Sequence, residues 1–139
     1  MTIAYNEASH AEGSGYKYTP IKVTRAYTAN SNTIYISYNI KNGVALVLDS
    51  INKYAIVQNC VKDTTNNDYQ VTLSGSFSTD IVVNTSLTAI YTVAYGIYSH
   101  AEGSCTIASG YYSHAEGRNT TASSNSAHAE GEETIADGV

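Results

Sequence analysis

From Ala94 to Ala136 an alanine recurs at every seventh position, through Ala101, Ala108, Ala115, Ala122 and Ala129. Two residues after these alanines stand Gly96, Gly103, Gly110, Gly117, Gly131 and Gly138, with Ser124 the one departure. Two residues before them stand Thr92, Ser99, Thr106, Ser113, Thr120 and Thr134, with Ala127 the departure. Successive units alternate between SHAEG and TxAxG, so the full period is fourteen residues. A seven-residue period invites a coiled coil, but the recurring residues are small and poor helix formers, and no apolar stripe accompanies them. Read as strands, the pattern is coherent. Ser, Ala and Gly share one face of SHAEG, and His and Glu share the other. Five residues of strand, a two-residue corner, five more of strand and a second corner then make one coil of a solenoid. Its coils stack at about 4.8 Å with the small residues inward.

This SHAEG/TxASG repeat resembles that of YadA-like trimeric autotransporter heads, and it is similar to repeats in tail and fibre proteins of bacteriophages and prophages. The resemblance covers Thr92 to Val139 and, more briefly, Thr2 to Gly13. It implies a left-handed parallel β-roll and a homotrimer. Adhesin heads favour aliphatic residues where His and Glu stand here, which turns the expectation towards the phage-type branch. That branch implies a structural and adhesive segment of a tail fibre or spike, located in the virion and attaching to a host cell-surface receptor, with a glycan as one receptor class. The alternative is the head of a bacterial trimeric autotransporter adhesin, at the bacterial cell surface and binding host matrix.

The opening "TIAYNEASHAEG" and the later "TVAYGIYSHAEG", from Thr92 to Gly103, are nearly one string. The economical reading is an insertion at a corner, where a chain can leave and return without breaking the stack. Residues 1–13 begin the roll, residues 14–91 form an inserted all-β domain, and residues 92–139 resume the repeat. Within the insert, Ile34, Ile36, Tyr38 and Ile40 alternate, and Asn42-Gly43 then precedes Val44 to Leu48, a hairpin signal. Further strands are expected at 21–28, 54–61, 69–77 and 81–83, parted by polar stretches such as "KDTTNND". The fold class is therefore all-β, a β-roll of fourteen-residue coils carrying an antiparallel β-sandwich or small barrel.

All four histidines lie in HAEG: His10, His100, His114 and His128, each two residues before Glu12, Glu102, Glu116 and Glu130. The pairs recur in every second unit without the convergent, braced geometry that zinc sites usually have. They read as a structural stamp facing water, with no metal and no cofactor expected. Ser99 and His100 are strand neighbours and point to opposite faces, so no hydroxyl–imidazole relay forms within a repeat. No enzyme is expected.

The formal charge of −5 and the absence of a basic cluster argue against nucleic acid as a partner. No apolar run is long enough for membrane insertion. Cys60 and Cys105 make neither a disulfide framework nor a metal cluster. Thirteen tyrosines against one phenylalanine and no tryptophan fit a small core and a half-wet sheet surface. Tyr35, Tyr38, Tyr54 and Tyr69 would suit sugar recognition, although the plainer reading has them packing the sheet. The outer face of the TxAxG strand carries Ile3, Val93, Ile107, Thr121 and Ile135. Burying that row is favourable while burying stacked carboxylates is not, so it is the expected trimer interface.

Overall fold

The computed structural model describes residues 2–14 and 17–138. Among the described residues there are fifteen strands: β1 (Ile3–Ala4), β2 (His10–Ser14), β3 (Lys17–Lys22), β4 (Thr33–Ile36), β5 (Ala45–Leu48), β6 (Lys53–Asp63), β7 (Asp68–Ser74) and β8 (Ser86–Ile90) come first. Then follow β9 (Val93–Ala94), β10 (His100–Ser104), β11 (Ile107–Ala108), β12 (His114–Arg118), β13 (Thr121–Ala122), β14 (His128–Glu132) and β15 (Ile135–Ala136). The chain divides into two compact units, Met1–Lys17 with Ile90–Val139, and Tyr18–Ala89.

The first unit is a parallel β-solenoid. One sheet runs β1-β9-β11-β13-β15 and the other β2-β10-β12-β14. The pairings join equivalent positions of the repeat: His100 lies against His114, Ala101 against Ala115, Gly103 against Gly117. The register survives the interruption, because Ile3 pairs with Val93 and His10 with His100, ninety positions on. Between the sheets, Ala94, Ala101, Ala108, Ala115, Ala122 and Ala129 form a continuous buried row. The buried hydroxyls of Ser99 and Ser113 donate to the carbonyls of Gly96 and Gly110 at 2.6 and 2.7 Å, while those of Thr106 and Thr120 are buried without a hydrogen-bond partner among the described residues.

The two strands of a coil are unequal, which corrects the expected five-and-five division. SHAEG strands keep five paired residues, while TxAxG strands keep only two. The cause lies just after the second strand, where the amides of Ser109 and Gly110 both donate to the carbonyl of Ala122. One acceptor serves two donors, so the ladder cannot advance and the chain bends. Each corner holds a residue at positive φ, among them Tyr98, Tyr112 and Ser126 on one side and Cys105, Asn119 and Glu133 on the other. The amides of Tyr112 and Asn119 are tied back to the carbonyls of Ile97 and Ser104, both at 2.9 Å. These bonds help hold a conformation that costs about 1–2 kcal/mol outside glycine.

The expected exposed row of isoleucines is not uniform. Ile3, Val93 and Ile107 are already buried within the single chain, at 6, 0 and 2% exposure, Thr121 is half-buried, and Ile135 is 65% exposed. Ile3, Val93 and Ile107 are thus interior and do not form the expected interface, and only Thr121 and Ile135 of the row stay accessible.

The second unit is a six-stranded sheet in the order β3-β8-β5-β6-β7-β4. The sequence leaves sandwich and barrel open, and hydrogen bonds between the two end strands favour the barrel. Val23, just past β3, bridges Ile36 at the end of β4. Ser37 N donates to Lys22 O and Thr24 N to Tyr35 O, both at 2.9 Å. The sheet therefore closes on itself, leaving no free edge between β3 and β4. Phe77, Ile21, Ile34, Ile36, Leu46, Ile56 and Leu87 are the large side chains of this unit that are fully buried. Tyr27 joins them edge-on to Phe77, its hydroxyl accepting the Phe77 amide at 2.9 Å.

Three local expectations fail in this unit. Asn42-Gly43 does not make a hairpin, because β4 pairs with β7 and β5 with β6. Gly43 instead donates its amide to Val57 O at 2.7 Å as the chain passes between non-adjacent strands. The segment 81–83 makes only the isolated bridge of Ile81 with Tyr27. The strand missed from the sequence is β8, whose Leu87, Thr88, Ala89 and Ile90 are all buried.

Gly103 tests the stacking directly. A Cβ there would lie 2.1 Å from the carbonyl oxygen of Gly117, on a backbone at φ +113. At Gly131, φ is similar at +105 but only a Thr134 side-chain atom stands within 4 Å. Gly131→Ala is expected to cost about 1–3 kcal/mol of backbone strain. Gly103→Ala should cost clearly more, by urea denaturation of both variants, since backbone must move as well. The isoleucine row gives a second contrast. Ile107→Asp should lose several kcal/mol by burying an unpaired charge, whereas Ile135→Asp should stay within about 0.5 kcal/mol of the parent in protomer folding.

Candidate functional site

Strand alternation and exact coil register together turn four HAEG segments into one surface. His10, His100, His114 and His128 stack in a column, with ring centroids 4.9, 4.8 and 4.9 Å apart. Beside it Glu12, Glu102, Glu116 and Glu130 stack in register. Each histidine Nε2 faces the carboxylate of its own strand, at 3.2 Å for His10–Glu12 and 3.6–3.7 Å for the other three pairs. Like charges directly opposite on paired strands repel. The imidazoles place polar nitrogen next to each carboxylate, which eases that repulsion. All eight residues named from the sequence are therefore brought together, partly exposed. Ser99 and Ser113 are buried on the opposite face from their neighbouring histidines, with their hydroxyls already engaged.

The ladder is not uniform along its length. His100 and His114 are nearly parallel, at 15°, while His10 is tilted 59° against His100. A donor atom from each of His10, Glu12 and His100 lies within 4.8 Å of the others, a convergence found for no other trio among the described residues. The Nε2 atoms of His100 and His114 are shielded from solvent without a hydrogen-bond partner.

The tyrosines assigned to a receptor surface do not form one face. Tyr35 lies between buried Ile34 and Ile36 on β4 and so points outward. Tyr69 shares the parity of buried Val71 and Leu73 and points the other way. Tyr38 is exposed in the segment after β4, and Tyr54 is half-buried on β6 opposite Val47. One face of the Tyr35 ring is covered by the Arg25 guanidinium, 3.7 Å from its centroid.

Arg25 belongs to a cluster that sequence reading passed over. Asp63 and Asp68 face each other across the β6–β7 hairpin. Two opposed carboxylates need a cation, and Arg25 supplies it. Its Nε and Nη2 donate to the two oxygens of Asp68 at 3.0 and 2.7 Å, and Nη2 also donates to Asp63. Thr24 adds a bond to Asp68 at 2.7 Å. The hydrogen bond from Arg25, then those from Asn66, hold the Asp63 carboxyl well below the usual range, and the carboxylates in turn raise Arg25. The cluster ties the segment after β3 to the β6–β7 turn. Nothing in the sequence spacing joins residue 25 to residues 63 and 68.

A second feature missed from the sequence is an aromatic pair on a solenoid corner. Tyr98 and Tyr112 stack at 5.2 Å and 10°, and with Tyr111 they are about half-exposed or more. The fourteen-residue period was the available signal, since it puts position 98 over position 112.

No family model matches the chain, and no curated protein or solved structure gives a significant match.

Asp63 sets a pH dependence with a definite sign. Its carboxyl titrates lower in the folded state than in the unfolded chain. Its contribution is therefore present above the ordinary carboxylate range and is lost as pH falls through that range and below. Denaturation of the parent should show stability falling on acidification, and Asp63→Asn should flatten part of that fall. An unchanged slope in the variant would remove Asp63 as the source.

Proposed function

We propose that this chain is a structural and adhesive segment of a trimeric phage tail fibre or spike. A YadA-like left-handed roll forms the shaft, and the inserted barrel makes the contact with a host-surface receptor. The observation that carries this reading is the register held across the insertion. A stack that resumes in the same columns after ninety positions does not depend on what is inserted. Such a support can carry one recognition domain or another without change to itself.

The composition of the solenoid core supports association. Its buried row consists of alanines, each offering a single methyl group. At about 0.8 kcal/mol per buried carbon group, such a core contributes little per coil beyond its backbone ladder. Contact between copies would add the area the protomer lacks. Exposed Tyr98, Tyr111, Tyr112 and Ile135 are apolar or aromatic surface on which such contact can draw. Two parallel sheets of near-repeating strands are also suited to bearing load along a fibre, since coil is held to coil by equivalent backbone bonds.

Light scattering on the purified chain should give three times the protomer mass of 14.8 kDa. A concentration-independent monomer would remove the trimer. A glycan array is the matching test of attachment: binding should persist when His114 and His128 are replaced by Ala, because the receptor contact is assigned to the barrel. Binding abolished by those changes in a folded trimer would move the contact to the roll.

A further inference from the structure

The His/Glu ladder repeats one chemistry at four levels, and its first step differs from the others in geometry. Between His100 and His114 the rings are close to parallel, so stacking keeps their nitrogens apart. Between His10 and His100 the rings are tilted by 59°, so they do not stack face to face. His10 Nε2 and Glu12 Oε2 are 3.2 Å apart, and His100 completes a trio of donors within 4.8 Å. His100 Nε2 is shielded from water and accepts no hydrogen bond. With its proton on Nδ1, that nitrogen presents an unused lone pair.

We propose that His10, Glu12 and His100 bind a divalent cation of the zinc class, through two imidazole nitrogens and one carboxylate oxygen, with water completing the shell. Zinc takes nitrogen and oxygen ligands at about 2.0–2.2 Å in a tetrahedron, which puts neighbouring donors about 3.3 Å apart. The His10–Glu12 pair already has that spacing. His100 closes the remainder by rotation, and its side chain, 39% exposed, has room to turn. Mixed imidazole and carboxylate donors suit zinc, copper and nickel, whereas magnesium and calcium require shells built mainly from oxygen. The lower steps of the ladder offer the same residue types without the convergence.

The location gives the ion a role. His10 and His100 are neighbours on β2 and β10, the pair of strands separated by ninety positions of chain. Elsewhere consecutive coils are joined by a short corner, but at this step the covalent path is long. A cation held between the two strands links them across the interruption, and any ligand that binds only the folded state raises its stability.

The test uses the whole chain in a Cys60→Ser/Cys105→Ser background, so that thiols offer no competing site. Calorimetric titration with zinc chloride at neutral pH should show one ion per chain, and zinc but not magnesium should raise the melting temperature. His10→Ala and Glu12→Gln should each weaken binding by about tenfold or more. His128→Ala, in the same column three coils away, should bind like the parent. Zinc-edge X-ray absorption on the parent should report two imidazole donors, a readout that needs no variant. Absence of binding at millimolar zinc overturns the proposal. So does binding that survives His10→Ala, an equal loss in His128→Ala, or a shell made only of oxygen.

Discussion

Close approach of backbone to backbone in the glycine columns is the constraint on which the solenoid depends. At Gly13, Gly103 and Gly117 an added Cβ would fall 2.0–2.3 Å from the carbonyl oxygen of the glycine in the next coil. At Gly96 and Gly110 the distance is 1.9 Å, to the carbonyl oxygens of Gly110 and Ser124. In the Gly13, Gly103 and Gly117 column only a residue without a side chain permits coils to meet at sheet spacing, whereas the Gly96 and Gly110 column also takes Ser124. Once the glycines are in contact, the register is set, and each alanine falls on an alanine and each histidine on a histidine. A slip by one residue would put a Cβ against a carbonyl in every coil and turn the alanine row outward. The ladder of imidazoles and carboxylates is thus a consequence of what glycine allows, not a structure assembled for its own sake.

The barrel is held by a different physics. Its interior is made of large branched and aromatic side chains, and its sheet is completed by a few backbone bonds between residues 22–24 and 35–37. Arg25 follows immediately on that closure and is tied to Asp63 and Asp68 at the far hairpin. The cation both neutralises two opposed carboxylates and lies over Tyr35, so one side chain joins the loop after β3, the face of β4 and the β6–β7 turn. Guanidinium suits this task because its fork can meet one carboxylate with two bonds while its flat face rests on an aromatic ring.

These two kinds of stability bear on function in different ways. The solenoid repeats one short rule and can be lengthened without redesign, which is what the proposed shaft role would require. The barrel has a core without internal repeat, as the proposed contact domain would need. The ladder adds chemistry to the repeat. Its first step, where the coils are furthest apart along the chain, is also the one where donor atoms converge.

How much of this could be read from the residues depends on how local the governing contact is. The all-β class, the parallel coils of fourteen residues and the His/Glu face follow from a period of small residues, because register and alternation leave little freedom once glycine must meet glycine. The unequal strands do not follow, since they turn on two amides sharing the Ala122 carbonyl in the next coil. In the insert, alternation located β4, β5, β6 and β7 in outline, but partner choice lay beyond it. Asn42-Gly43 favours a hairpin locally, yet β4 gains more by pairing with β7 and closing the barrel than by folding back on β5. Burial of Ile3, Val93 and Ile107, the Arg25 cluster and the tilt of His10 against His100 were likewise decided by tertiary structure. Each depends on groups far apart in the chain, and sequence periodicity carries no information about distances of that kind.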